Sequence, residues 1–185
     1  MGVTVNLYLI KDETQIGESG FEVILEKLGV QTRLDRKGID YEEVQKNFWE
    51  RNPEPLLGMA YFKSHFIIQD DFNLIDASRF HAYTAEFQTT LLQADNSDTV
   101  GICSFSYYSN GQLIRRKSFG LDGWADEMQE AGLDVPEGAS PGDWDEGEPL
   151  GFESNGSAFF ELLETYGIGY DKLHELEWEL RVVTD

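Results

Sequence analysis

Residues 103–118 read CSFSYYSNGQLIRRKS, and this stretch decides the fold class. Asn110-Gly111 at its centre tolerate positive φ at both central positions of a two-residue turn. The twist of that turn matches two antiparallel strands. A tight hairpin is therefore expected, with Tyr107 opposite Ile114, Phe105 opposite Arg116 and Cys103 opposite Ser118 on one face. Ser106 would oppose Arg115, and Ser104 would oppose Lys117, on the other. This register puts Arg116 on the apolar side, where a guanidinium needs a carboxylate partner.

Outward from the hairpin the signals continue to favour sheet. Tyr83, Ala85, Phe87, Thr89 and Leu91 alternate with polar residues, so 79–92 is expected to be a long strand. Residues 59–62 and 65–68 read as short strands. Val3, Val5, Leu7 and Leu9 alternate with Thr4, Asn6 and Tyr8, which is strand periodicity again. At the far end Leu176, Trp178, Leu180 and Val182 alternate with acids and Arg181, and a last strand should return to the sheet.

Helices punctuate these strands. Ser19-Gly-Phe-Glu22 has capping-box spacing, followed by Phe21, Ile24, Leu25 and Leu28 at helical intervals and by Gly29 as a stop. Asp40 with Glu43 opens a second helix whose stripe is Tyr41, Val44 and Phe48, closed before Pro53 and Pro55. Asp122 is expected to cap a short helix bearing Trp124 and Met128, and residues 156–166 have the pattern of a good helix. Together these elements predict an α+β fold: an antiparallel sheet of about five to seven strands with helices packed mainly on one face. At 185 residues the chain suits a single globular domain, 1–185, carrying a long acidic loop at 132–155.

Charge is the strongest functional signal. The formal net charge is −21, and residues 122–185 hold eighteen carboxylates against Lys172 and Arg181. A surface so one-sided repels nucleic acid and anionic membrane and attracts cationic partners at long range. The single cysteine, Cys103, excludes an intramolecular disulfide and favours a reducing compartment. No basic-then-apolar leader precedes the first strand, and the apolar run of residues 3–10 is too short to span a membrane. A cytoplasmic protein is expected.

The candidate partner-binding residues are Trp124, Asp143, Trp144, Asp145, Glu146 and Glu148. Carboxylates without compensating cations suit a basic protein, and Trp144 could serve as an aromatic anchor. The bland alternative is a solvated loop whose charge aids solubility. Asp143 and Asp145 also begin like a calcium loop. Its glycine falls one position early, however, and Ser154 stands where a bidentate Glu is required.

Other constellations are weaker. Asp70, Asp71 and Asp76 are read as turn acids, because adjacent strand residues point apart. His65, His81 and His174 lack the spacing of a zinc site. Cys103 sits beside Phe105 in a strand, where cysteine behaves as a small apolar residue. Its glycines follow no phosphate-binding pattern. No metal, cofactor or catalytic residue is therefore expected. The favoured reading is a non-enzymatic acidic protein that occludes a cationic protein partner, by analogy of charge and size with immunity proteins and antitoxins of bacteria. A DNA mimic is the second reading, weakened by the near-neutral middle third. A small enzyme with a scattered site is the third.

Overall fold

The computed structural model describes residues 4–50, 54–70, 74–97, 102–120, 123–128, 163–164 and 166–184; the side chains of 4, 97, 102–103, 117–120 and 123–128 are excepted. Among the described residues nine strands form one sheet: β1 Thr4–Lys11, β2 Gln31–Ile39, β3 Leu56–Phe62, β4 His65–Asp70, β5 Thr90–Ser97, β6 Ile102–Ser109, β7 Gln112–Gly120, β8 Gly123–Met128 and β9 Trp178–Thr184. Their order across the sheet is β2-β9-β3-β4-β1-β5-β6-β7-β8, and the neighbours pair antiparallel. The helices are α1 Phe21–Lys27, α2 Tyr41–Trp49, α3 Ala77–Phe87 and α4 Tyr170–Glu175, with a short 3-10 turn at Gly17–Gly20. The α+β class with an antiparallel sheet stands. The strand count exceeds the expected five to seven, because β2 and β8 were not anticipated as strands.

The helices also divide between the two faces instead of gathering on one. Strand β1 shows why. Leu7 and Leu9 enter one apolar core, Tyr8 and Ile10 enter another, and all four are buried. Phe21, Ile24 and Leu25 of α1 and Phe80 and Tyr83 of α3 pack over Tyr8, Ile10, Phe66 and Ile68. On the opposite face, Tyr41, Val44 and Phe48 of α2 and Leu173 of α4 pack over Leu7, Leu9, Trp178 and Leu180. The alternation of β1 suggested a polar side, but Tyr8 is a large ring whose apolar body favours burial.

The segment expected to be a strand over 79–92 begins as helix α3. Asp76 caps it by accepting a hydrogen bond from Ser78 N at 2.8 Å. Phe80, Tyr83, Thr84 and Phe87 fall at i, i+3, i+4 and i+7, and Tyr83 and Phe87 of this stripe also fit the strand period. Tertiary burial of that stripe decides for the helix, and Gln88 ends it in the left-handed conformation (φ 49°) before β5. Residues 123–128, expected to be helical, pair instead with β7, placing Trp124 opposite Phe119. The capping box at Ser19 does not form: Ser19 Oγ donates to Ile16 O at 2.6 Å, and Gly20 occupies the N-cap. Asp40 does cap α2 as expected, accepting from Glu43 N at 2.8 Å.

At the hairpin, Asn110 (φ 49°) and Gly111 (φ 83°) occupy the turn as the sequence requires. Ser109 faces Gln112 and Tyr108 faces Leu113, but then a bulge at Ile114 brings Tyr107 opposite Arg115 and Ser106 opposite Arg116. The expected register is therefore off by one beyond Ile114. The shift takes Arg116 off the Phe105 face, and its Nε donates to Ser106 Oγ at 3.2 Å. The hairpin tip also docks on α3, where Gly111 N donates to Thr84 Oγ1 at 3.0 Å.

A Cβ at Gly111 would lie 2.7 Å from Ala85 Cβ, whereas one at Gly38, also at positive φ, meets nothing within 4 Å. Gly111→Ala should therefore cost about 2–3 kcal/mol in urea unfolding, and Gly38→Ala only about 1 kcal/mol. Equal losses would show that the tip does not press on α3.

Edge strand β2 is largely exposed and carries Arg33, Asp35, Arg36 and Lys37, with two irregularities in its register against β9. Charge and bulging together discourage further strand addition there.

Candidate functional site

Of the six residues expected to bind a partner, Trp124 lies in β8, the edge strand opposite β2 in the order of the sheet. Asp143, Trp144, Asp145, Glu146 and Glu148 lie outside the described residues, as does the whole 132–155 stretch. The structure does assemble three other polar groupings.

The first is a buried row across the face covered by α1 and α3. Register aligns Asp70, Asn6, Asp95 and Ser104 on neighbouring strands β4, β1, β5 and β6. Asp70 Oδ1 accepts from Asn6 Nδ2 at 2.9 Å; its Oδ2 accepts from Tyr8 OH at 3.0 Å and from Leu74 N at 2.9 Å. Burial, then the nearby Asp70 and Asp95 carboxylates, push the Tyr8 phenol well above its ordinary range. Asn6, Tyr8 and Asp70 are at most 1% exposed, so these bonds close on one another inside the core and hold the sheet. Asp70 and Asp76 therefore have separate structural tasks and do not form a chelating pair.

Asp95 is the strained member of this row. Burial raises its pKa, hydrogen bonds from Gln93 and Ser104 lower it, and Asp70 raises it again, for a net upward shift. A carboxyl whose folded pKa exceeds its unfolded one binds more protons when folded, so stability falls as pH rises through that interval. Asp95→Asn should consequently stabilise the protein at neutral pH, and the gain should vanish below the ordinary carboxylate range. Thermal unfolding of both proteins across pH 3 to 7 (about that span) checks this. A gain independent of pH would contradict it.

A second grouping surrounds Arg181. Its Nε and Nη2 donate to Glu179 Oε2 at 3.1 and 2.8 Å, and its Nη1 reaches Glu22 Oε1 and Thr32 Oγ1. Lys37 Nζ adds a contact to Glu179 Oε1 at 3.1 Å. Arg181 and Glu179 are the polar residues that alternate with Trp178, Leu180 and Val182 in β9. They are buried because β9 runs between β2 and β3, with Glu22 of α1 reaching over their side of it.

The third is the outer face of α2. Arg36 donates to Glu43 and to Asn47, forming the floor of an open groove of about 580 Å³ between β2 and α2. Asp40, Glu42, Lys46 and Glu50 complete the groove, and Trp49 beside it is 58% exposed. Sequence reasoning passed over Trp49. The available signal was a large aromatic lying off the Tyr41–Val44–Phe48 stripe.

The histidines are dispersed. His65 Nδ1 lies 3.0 Å from Lys63 O, His81 Nδ1 lies 3.1 Å from Gly111 O, and His174 stacks between Tyr41 and Tyr170. Among the described residues no three His, Cys, Asp or Glu side chains are placed to hold a metal ion. Nor is any described helix long and apolar enough to cross a membrane.

The described cations are largely consumed by the protein's own acids. Lys11 pairs with Glu13, Lys27 with Glu86, Arg33 with Glu54, Arg36 with Glu43, Lys46 with Glu50 and Lys172 with Glu175. Exposed pairs like these contribute little stability, but each cancels a positive charge locally. No protein-family model, curated protein or solved structure matches the chain.

Proposed function

We propose that this is a non-enzymatic acidic binding protein, cytoplasmic, that occludes a cationic protein partner in the manner of an immunity protein or antitoxin. The supporting observation is that Lys11, Lys27, Arg33, Arg36, Lys46 and Lys172 are each paired with one of the chain's own carboxylates while the net charge is −21. Little positive field is left to offset the surplus acids, so the outward field favours a basic surface and disfavours phosphate backbones. Under this reading Asp143, Asp145, Glu146 and Glu148 steer the partner, and Trp124 and Trp144 are buried by it.

The test is binding kinetics against a partner captured at low salt. Association should slow steeply with added salt, since exposed charges are screened over about 8 Å at physiological ionic strength. Neutralising Asp143, Asp145, Glu146 and Glu148 to Asn and Gln should slow association with less effect on dissociation, whereas Trp144→Ala should speed dissociation. Salt-independent association would sink the electrostatic reading.

A further inference from the structure

Among the described residues, α2 presents an aromatic ring and acidic side chains on one exposed helix face. Glu42, Lys46 and Trp49 follow at i, i+4 and i+7, so they share that face, and Glu50 adjoins it. The Glu42 side chain is 82% exposed, with His174 Nδ1 4.0 Å from its Oε1. Glu50 and Lys46, 66% and 68% exposed, form a loose pair at 3.7 Å that an incoming cation can replace. Arg36, at the groove floor, is already held by Glu43 and Asn47, so it does not repel a cation strongly. Trp49 is therefore an exposed indole without an apolar neighbour on its own stripe, set among acids.

We propose that this face of α2 docks a basic segment of the protein partner, an inference that rests on the acidic-binder reading above. Glu42 and Glu50 are eight residues apart, about 12 Å along the helix. An extended segment places side chains four residues apart at about 13 Å, so arginines at that spacing can meet both carboxylates. The Trp49 ring, lying between them along the helix, offers a flat surface for a guanidinium or for the aliphatic stem of a Lys or Arg. Aromatic anchors of this kind carry a large share of interface energy.

The probe is a fluorescein-labelled 12-residue peptide of Gly and Ser with Arg at every fourth position, titrated with the full chain at low salt and read by anisotropy. Trp49→Ala, and separately Glu42→Gln with Glu50→Gln, should each weaken binding at least fivefold. Glu26→Gln with Glu177→Gln removes the same charge from exposed sites elsewhere and should stay within twofold. Circular dichroism confirms that each variant is folded. Equal loss in the control pair would mean that only bulk charge matters, and unchanged binding in both α2 variants would also overturn the proposal. If binding is instead lost only on neutralising Asp143, Asp145, Glu146 and Glu148, the α2 surface is wrong while the acidic-binder reading survives. A peptide that fails to bind the unmodified chain overturns both.

Discussion

Arg181→Ala is expected to lower the free energy of unfolding by about 3–5 kcal/mol, the usual cost of breaking a buried ion pair from one side. The guanidinium is 5% exposed, and its loss strands the Glu179 carboxylate, which is 7% exposed as a residue, with Lys37 as its other ionic contact. Glu22 and Lys37 lie at the solvent side of the cluster and can rehydrate, so the penalty concentrates on Glu179. It follows that replacing both members, Arg181→Met with Glu179→Leu, should recover most of the loss, to within about 1 kcal/mol of the parent protein. Urea unfolding of Arg181→Met, Glu179→Leu and the double variant measures this as a thermodynamic cycle. A double variant as unstable as Arg181→Ala would mean that the cluster positions β2 and α1 by more than its charge balance.

Asp70→Ala should be comparably damaging, about 3–5 kcal/mol, for a different reason. The carboxylate accepts from Asn6 Nδ2, Tyr8 OH and Leu74 N, and alanine would leave all three donors in a dry core without an acceptor. Tyr8→Phe deletes one donor and leaves the carboxylate its other bonds, so it should cost only about 1 kcal/mol. The comparison is informative because both changes touch the same bond. If Asp70→Ala costs no more than Tyr8→Phe, water enters the site on truncation and the row is not the closed network described here.

Much of the local structure is legible in the residues. Asn110-Gly111 specifies its turn, and Asp40 with the Tyr41–Val44–Phe48 stripe specifies α2, because turn dihedrals, capping bonds and helical spacing depend only on near neighbours. The failures are equally physical. Tyr83 and Phe87, four residues apart, satisfy a strand face as well as a helical stripe, and it is the packing of Phe80 over Tyr8 and Tyr108 that separates the two. Ile114 bulges and so puts Arg116 opposite Ser106, a one-residue shift that no reading of 103–118 alone contains. Strand β2 is charged and faces solvent, so it lacks the alternating apolar signal that marks a half-buried strand.

The same division applies to the sites. Excess negative charge and the scarcity of cations after Lys117 follow from composition, since a long-range field depends on net charge more than on detailed placement. The sequence by itself therefore determines the α+β class, the hairpin, α2 and the electrostatic character of this protein. Tertiary structure alone decides that Asp70 meets Asn6 across strands 64 residues apart, and that Arg181 meets Glu22 across 159. It also decides that both faces of the sheet are covered. Such pairings arise from strand order, and strand order is set by which apolar faces bury one another after the chain has closed its loops.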